Sequence, residues 1–101
     1  MNMCFVYILT NKRHTVLYVG STNNLANRLN QHYSNRNKKS FTARYNLCKL
    51  VYFEPYKDMW IADGREKQIK GGSRKKKEDL IDSVNPSWND LSDESLSYLA
   101  S

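Results

Sequence analysis

Two short apolar segments, Phe5-Val6-Tyr7-Ile8-Leu9 and Leu17-Tyr18-Val19-Gly20-Ser21, constrain this chain more than anything else in it. Each carries a tyrosine, and each runs into turn-forming residues. Residues 3–10 alternate with both faces apolar, the pattern of a central strand covered on both sides. Asn11 to Thr15 is a polar connection of hairpin length, and 16–20 is the return strand.

The rest of the chain supplies helices for the two faces. Ser21-Thr22-Asn23-Asn24 offers several N-caps for a helix from about 25 to 33. Residues 34–46 are polar, basic and irregular, a long loop or one with a helical turn in it, of the kind that in a small domain usually serves function. Lys49-Leu50-Val51-Tyr52-Phe53 reads as the third strand, closed by Pro55. A helix from about 58 to 70 stops at Gly71-Gly72, and Ser73 caps another that reaches about 83. Asn85-Pro86-Ser87-Trp88 reads as a turn, and Ser92 to Leu99 as a short last helix. The expected fold is α+β, a small three-stranded antiparallel sheet flanked by helices in the order strand, strand, helix, strand, helix, helix. With 101 residues the chain is expected to form one domain, its core at about 3–91 and a tail at 92–101.

Composition removes several classes of protein. Hydrophobic residues at 40% argue against disorder, and no apolar run approaches the ~20 residues of a membrane span. The start, Met1-Asn2-Met3-Cys4, has no basic leader, so a cytoplasmic location is expected. Cys4 and Cys48 are too few for a metal cluster; two semi-buried free thiols are expected, a disulfide being the alternative. The net charge of +6 favours an anionic partner. Arg36, Lys38, Lys39 and Arg44 gather in one segment and Arg74, Lys75, Lys76 and Lys77 in another, while the last quarter turns acidic through Asp79, Asp82, Asp90, Asp93 and Glu94. The second cluster opens a helix, where cations oppose the macrodipole; it reads either as a phosphate contact or as a solvated face. Ser40-Phe41-Thr42-Ala43-Arg44-Tyr45 joins aromatics to an arginine, as in loops that stack on bases, although Phe41 and Tyr45 equally suit pinning the loop to the core.

Helical geometry sorts the polar residues further. With Leu25 at 0°, Leu29 falls at about 40°, His32 at about −20° and Arg28 at about −60°. Arg28 and His32 therefore lie on or beside the apolar stripe. In the later helix Met59, Ala62, Glu66 and Ile69 share an arc of roughly 80°. A carboxylate there needs a partner or a metal, because burying it alone costs several kcal/mol. An internal Arg28–Glu66 salt bridge, with His32 satisfied by a backbone group, is the plain alternative to a catalytic grouping.

Taken in order, these residues resemble the GIY-YIG endonuclease superfamily. Phe5-Val6-Tyr7 resembles its first motif and Tyr18-Val19-Gly20 its second. Ser21 to Leu25 with Arg28 and His32 resembles its first-helix signature, and Arg65-Glu66-Lys67-Gln68-Ile69-Lys70 the stretch bearing its metal-binding glutamate. Phe41 to Arg44, Leu50 to Glu54 and Asn85 to Trp88 are similar to segments of small stand-alone bacterial members, relatives of the amino-terminal domain of the UvrC repair nuclease. The resemblance implies hydrolysis of a DNA phosphodiester with one divalent metal, Mg²⁺ or Mn²⁺, with RNA as the alternative substrate. It implies Glu66 as metal ligand, Tyr7 as general base with Tyr18 beside it, Arg28 on the phosphate and His32 hydrogen-bonding to a tyrosine or assisting proton transfer. Asn85 is a candidate for shaping the site or for capping the turn before Pro86. Two other readings stand: a nucleic-acid-binding module that does not cut, and a nuclease domain that needs a partner protein.

Overall fold

The computed structural model describes residues 3–33 and 46–93, with the backbone alone at His32 and Tyr33. Of the expected loop at 34–46, residues 34–45, with Arg36, Lys38, Lys39, Phe41 and Arg44, lie outside the described residues, as does the end of the expected last helix.

Three strands form the sheet: β1 (Cys4–Asn11), β2 (Leu17–Thr22) and β3 (Leu47–Tyr56). Their order is β2-β1-β3 and both pairings are antiparallel, so β1 is central. Successive side chains of a strand point to opposite faces, and β1 uses both. Cys4, Val6 and Ile8 enter one apolar cluster with Val19, Val51, Ala62, Ile69 and Ile81. Phe5, Tyr7 and Leu9 enter another with Leu25, Leu29, Leu47 and Leu50. Helix α1 (Leu25–Tyr33) covers the second face; helices α2 (Met59–Lys70) and α3 (Arg74–Val84) cover the first. The result is an α+β fold with a doubly covered central strand.

Local chemistry fixes the joints. In the hairpin Asn11 Oδ1 accepts from the backbone N–H groups of Thr15 and Val16, which lets His14 take a positive φ of 58°. Of the four N-cap candidates before α1, Asn24 forms the cap: its Oδ1 accepts from Asn27 N–H at 3.1 Å. Asp58 and Ser73 cap α2 and α3 in the same way.

Two expectations need correction. The third strand continues through Pro55 to Tyr56 rather than closing at it. β3 lies at the sheet edge, where a proline's missing N–H breaks no ladder between strands. The outer side of this edge is partly covered, since Leu50 O accepts from Leu91 N–H and Leu50 N–H donates to Asp90. Helix α2 does stop at Gly71, but with φ of −74°, not in the left-handed region; its N–H closes the last turn onto Lys67 O. Of the two free cysteines, Cys4 is buried and Cys48 exposed rather than half-buried. No helix among the described residues is long and apolar enough to cross a membrane.

Candidate active site

Tyr7 sits in the middle of β1 with 1% of its surface exposed, directly opposite Gly20 of β2. Its ring crosses that glycine: a Cβ on Gly20 would stand 2.5 Å from the Tyr7 hydroxyl oxygen. The room made by the missing side chain carries the phenol to the outer strand, where Tyr18 meets it with ring centroids 6.3 Å apart. Burial is the main reason that Tyr7 resists ionisation. The nearby Tyr18 and Glu66 and the hydrogen bond with Tyr18 act in the same sense, and only the positive charge of Arg28 opposes them. The balance lies well above the ordinary tyrosine value, so the phenol is neutral at physiological pH. Arg28 is exposed on α1, beside the buried Leu25 and Leu29.

Glu66 approaches from the other face of the sheet. Ala62 and Ile69 anchor α2 in the core, and the Glu66 side chain, 18% exposed, reaches the β2 edge next to Gly20. There the Ser21 hydroxyl stands 2.5 Å from Glu66 Oε1 and 2.8 Å from Asp63 Oδ1. One hydroxyl carries one proton, so Ser21 serves the two carboxylates in alternation. Lys70 Nζ lies 2.6 Å from Glu66 Oε2. Burial alone would raise the Glu66 pKa; the hydrogen bonds from Lys70 and Ser21 and the charges of Lys70 and Lys67 outweigh it and hold the carboxyl below its usual range. The Arg28–Glu66 salt bridge is not formed, Glu66 pairing with Lys70 in its place.

A second cluster sets the rotation of α2. Arg65 grips both oxygens of Glu54 on β3, with Nε at 3.0 Å and Nη2 at 3.1 Å, while the hydroxyls of Tyr52 and Tyr56 donate to the same carboxylate. Neighbouring helical residues diverge by about 100°. Fixing Arg65 over the β3 side therefore turns Glu66 toward the β2 side. A site is thereby assembled around the edge of β2, tyrosines on one face and the carboxylate on the other.

Other candidate residues fare differently. His32 lies in α1, but its side chain is outside the described set. Asn85 is buried and its amide is spent on structure: Nδ2 donates to Val51 O and Asn89 O, and Oδ1 accepts from Asn89 N–H. Arg74 donates to the carbonyls of His14 and Thr15 and pairs with Glu78; Lys75 pairs with Asp79; Lys77 donates to Gly72 O. Of that run only Lys76 is exposed without such a bond among the described residues. A groove of about 600 Å³ between α2 and α3 is lined by Arg65, Lys67, Lys76 and Lys77 among others, and includes none of Tyr7, Ser21 or Glu66. In the sequence Ser21 is legible as a cap candidate and as part of the first-helix signature, while Asp63, Lys70 and Glu54 carry no assigned role there. The spacing of Glu66 and Lys70 by four, the helical ion-pair spacing, was the available signal.

Among the described residues no three His, Cys, Asp or Glu side chains converge. One half-buried carboxylate open to solvent, with a second carboxylate one turn away, fits a hard cation of the Mg²⁺ type, which keeps several waters and takes one or two carboxylates. It does not fit a tetrahedral zinc centre.

The family model described as the GIY-YIG catalytic domain matches residues 3–79. A UPF0213 protein of Clostridium perfringens is 41% identical over 81 residues, covering 80% of this chain and 85% of that protein. The solution NMR structure of a UPF0213 protein from Bacillus halodurans, 30% identical, superposes with a TM-score of 0.54 over 86% of this chain and 92% of that one.

Proposed function

The chain belongs to the GIY-YIG family, a family of nucleases, and on that premise we propose that it is a metal-dependent DNA endonuclease. One observation carries the reading: Tyr18, Arg28 and Glu66, far apart in sequence, all act on the Tyr7 phenol laid across Gly20 at the edge strand β2. Glu66 is the residue that would hold a divalent cation, Mg²⁺ or Mn²⁺, with Ser21 fixing one of its oxygens. Such a cation, when bound, stabilises the charge that develops on the leaving oxygen.

The other roles belong to the chain itself. Tyr7 orients the attacking water through its hydroxyl. Burial keeps the phenol neutral, and a neutral phenol cannot take the water's proton: to act as base its own O–H proton must first pass to solvent, a loss that nearby positive charge favours, and Arg28 is the cation already acting on it. The guanidinium of Arg28 matches two phosphate oxygens and is exposed enough to meet them. Tyr18 holds the Tyr7 hydroxyl in place, and His32, one turn beyond Arg28, assists proton transfer. The site works on DNA in the cytoplasm, in repair or recombination.

The test is incubation of plasmid and single-stranded DNA with the protein in Mg²⁺ or Mn²⁺, beside Glu66→Ala and an EDTA control. Cleavage by the wild type that disappears in both controls supports the assignment. Binding without cleavage hands the reading to a non-cutting module or to a domain that needs a partner. Equal cutting by Glu66→Ala refutes the site.

A further inference from the structure

Both oxygens of Glu66 are engaged, but by partners of different kinds. Ser21 belongs to a strand, and its hydroxyl stands 2.5 Å from Oε1 while it shares its proton with Asp63. Lys70 holds Oε2 at 2.6 Å from the end of a flexible stem, with 52% of its side chain exposed against 18% for Glu66. The carboxylate is thus placed by the fold, and the ammonium is held only by the pair it makes. An exposed lysine–carboxylate pair in a helix contributes little and is lost cheaply. Oε2 is also the oxygen that Ser21 leaves for a cation. An ammonium at 2.6 Å and a divalent ion bonded to the same oxygen would stand within a few ångströms of each other, which their like charges oppose.

We propose that Lys70 is the resident counter-ion of Glu66 in the metal-free protein and gives up Oε2 when a divalent cation binds. The inference rests on the reading of Glu66 as metal ligand. Without Lys70, an unbalanced carboxylate would stand at a strand edge beside Asp63, whose oxygen already lies 2.8 Å from the Ser21 hydroxyl. The lysine neutralises that edge until the metal arrives. Its ammonium, once released, stays one helical turn from the site. Lys67 makes the comparison: it acts on Glu66 only through its charge and makes no bond to it.

The experiment is Mn²⁺ titration of the whole protein by calorimetry and electron paramagnetic resonance, at fixed ionic strength and without nucleic acid. Wild type, Lys70→Met, Lys67→Met and Glu66→Gln are compared, each first shown folded by circular dichroism. Removing the competing ammonium should tighten Mn²⁺ binding roughly two- to fivefold in Lys70→Met, with a clearly smaller gain in Lys67→Met and loss of the site in Glu66→Gln. Lys70→Gln, which keeps a polar head without the charge, should follow Lys70→Met. Affinity unchanged or weakened in both Lys70 variants, with Glu66→Gln still losing the site, would overturn the counter-ion role alone. Equal gains in the Lys70 and Lys67 variants would overturn it too, reducing it to a general field. No Mn²⁺ bound by the wild type or by the Lys70 variants would overturn the metal reading of Glu66 and this inference with it.

Discussion

The Tyr7 hydroxyl occupies the space in which a side chain at Gly20 would begin. A Cβ there would meet the hydroxyl oxygen at 2.5 Å and ring carbon Cζ at 2.6 Å, closer than real Cβ atoms come to anything. No glycine of the described residues has a positive φ, so Gly20 is needed for room and not for an unusual backbone. Gly20 and Tyr7 are therefore one unit, a tyrosine laid across the residue it pairs with.

Gly20→Ala should consequently behave as overpacking. The Tyr7 ring is buried and cannot turn aside, so the strands must part, at a cost of about 1–3 kcal/mol and with the phenol displaced. Gly64 gives the control. It lies in α2, and a methyl group added there would have nothing within 4 Å, so Gly64→Ala should stabilise by about 0.5–1 kcal/mol. Thermal melting of the two variants checks the contrast. A neutral Gly20→Ala would mean that the ring is free to move.

The Glu54–Arg65 pair should make stability depend on acid. Burial alone would raise the Glu54 pKa, but Arg65, Tyr52 and Tyr56 outweigh it and hold the carboxyl below its ordinary value of 4.5. The unfolded carboxylate thus takes up its proton at a higher pH than the folded one. The contribution is complete above about pH 4.5 and is lost as pH falls through the lower folded value. Glu54→Gln should cost about 1–3 kcal/mol at pH 7, leaving Arg65 without its bidentate partner. Urea unfolding at pH 7 and pH 3 is the measurement. The gap between variant and wild type should narrow at pH 3, and an unchanged gap would exclude the carboxylate as its source.

How far the fold was legible follows from which forces write themselves in sequence. Apolar alternation in residues 3–10 and the caps at Ser73 and Asn24 are local, and they led to the right elements. The end of β3 was misplaced because a proline was taken to stop a strand, when its tolerance depends on whether the strand lies at an edge, and strand order is not local. In the site, tyrosines and Glu66 were legible as residue types that a plain core does not need. Their meeting around β2 depends on strand register and on the turn of α2, so Ser21 and Asp63 stayed hidden, as did the part Glu54 plays. The plain alternative to a catalytic grouping pairs Glu66 with Arg28, across the fold, although Lys70 four residues on is the nearer partner.

The hairpin tip should respond to pH below 6.5. His14 stacks on Trp88 with centroids 4.8 Å apart, and its Nε2 accepts from Lys49 Nζ at 3.1 Å, which requires a neutral ring. Burial first, and then the charge of Lys49, lower its pKa below the ordinary 6.5. Folded His14 therefore binds its proton at a lower pH than unfolded His14. Its contribution is complete above pH 6.5 and declines as pH falls from there toward the folded value. Trp88 fluorescence, followed in a Trp60→Phe background, should titrate with a midpoint below 6.5, and His14→Phe should abolish the transition. A midpoint above 6.5 would contradict the lysine contact.

The cations that open α3 should divide by what the fold already asks of them. Arg74 spends its guanidinium on His14 O at 2.6 Å, Thr15 O at 2.9 Å and Glu78 at 2.9 Å, tying α3 to the hairpin tip. Three of its five N–H donors are so committed and hold the guanidinium against the hairpin, so Arg74→Ala should lower the melting temperature and leave the salt dependence of DNA binding nearly unchanged. Lys76 is exposed and its side chain enters only the wall of the α2–α3 groove. If that face meets DNA, Lys76→Ala should leave melting alone and reduce the slope of log K against log salt by about 0.9, the loss of one phosphate contact. Fluorescence anisotropy across a salt series measures both slopes. A reduced slope in Arg74→Ala with melting intact would show that the arginine leaves the hairpin to bind, and an unaltered slope in Lys76→Ala would move the DNA to another face.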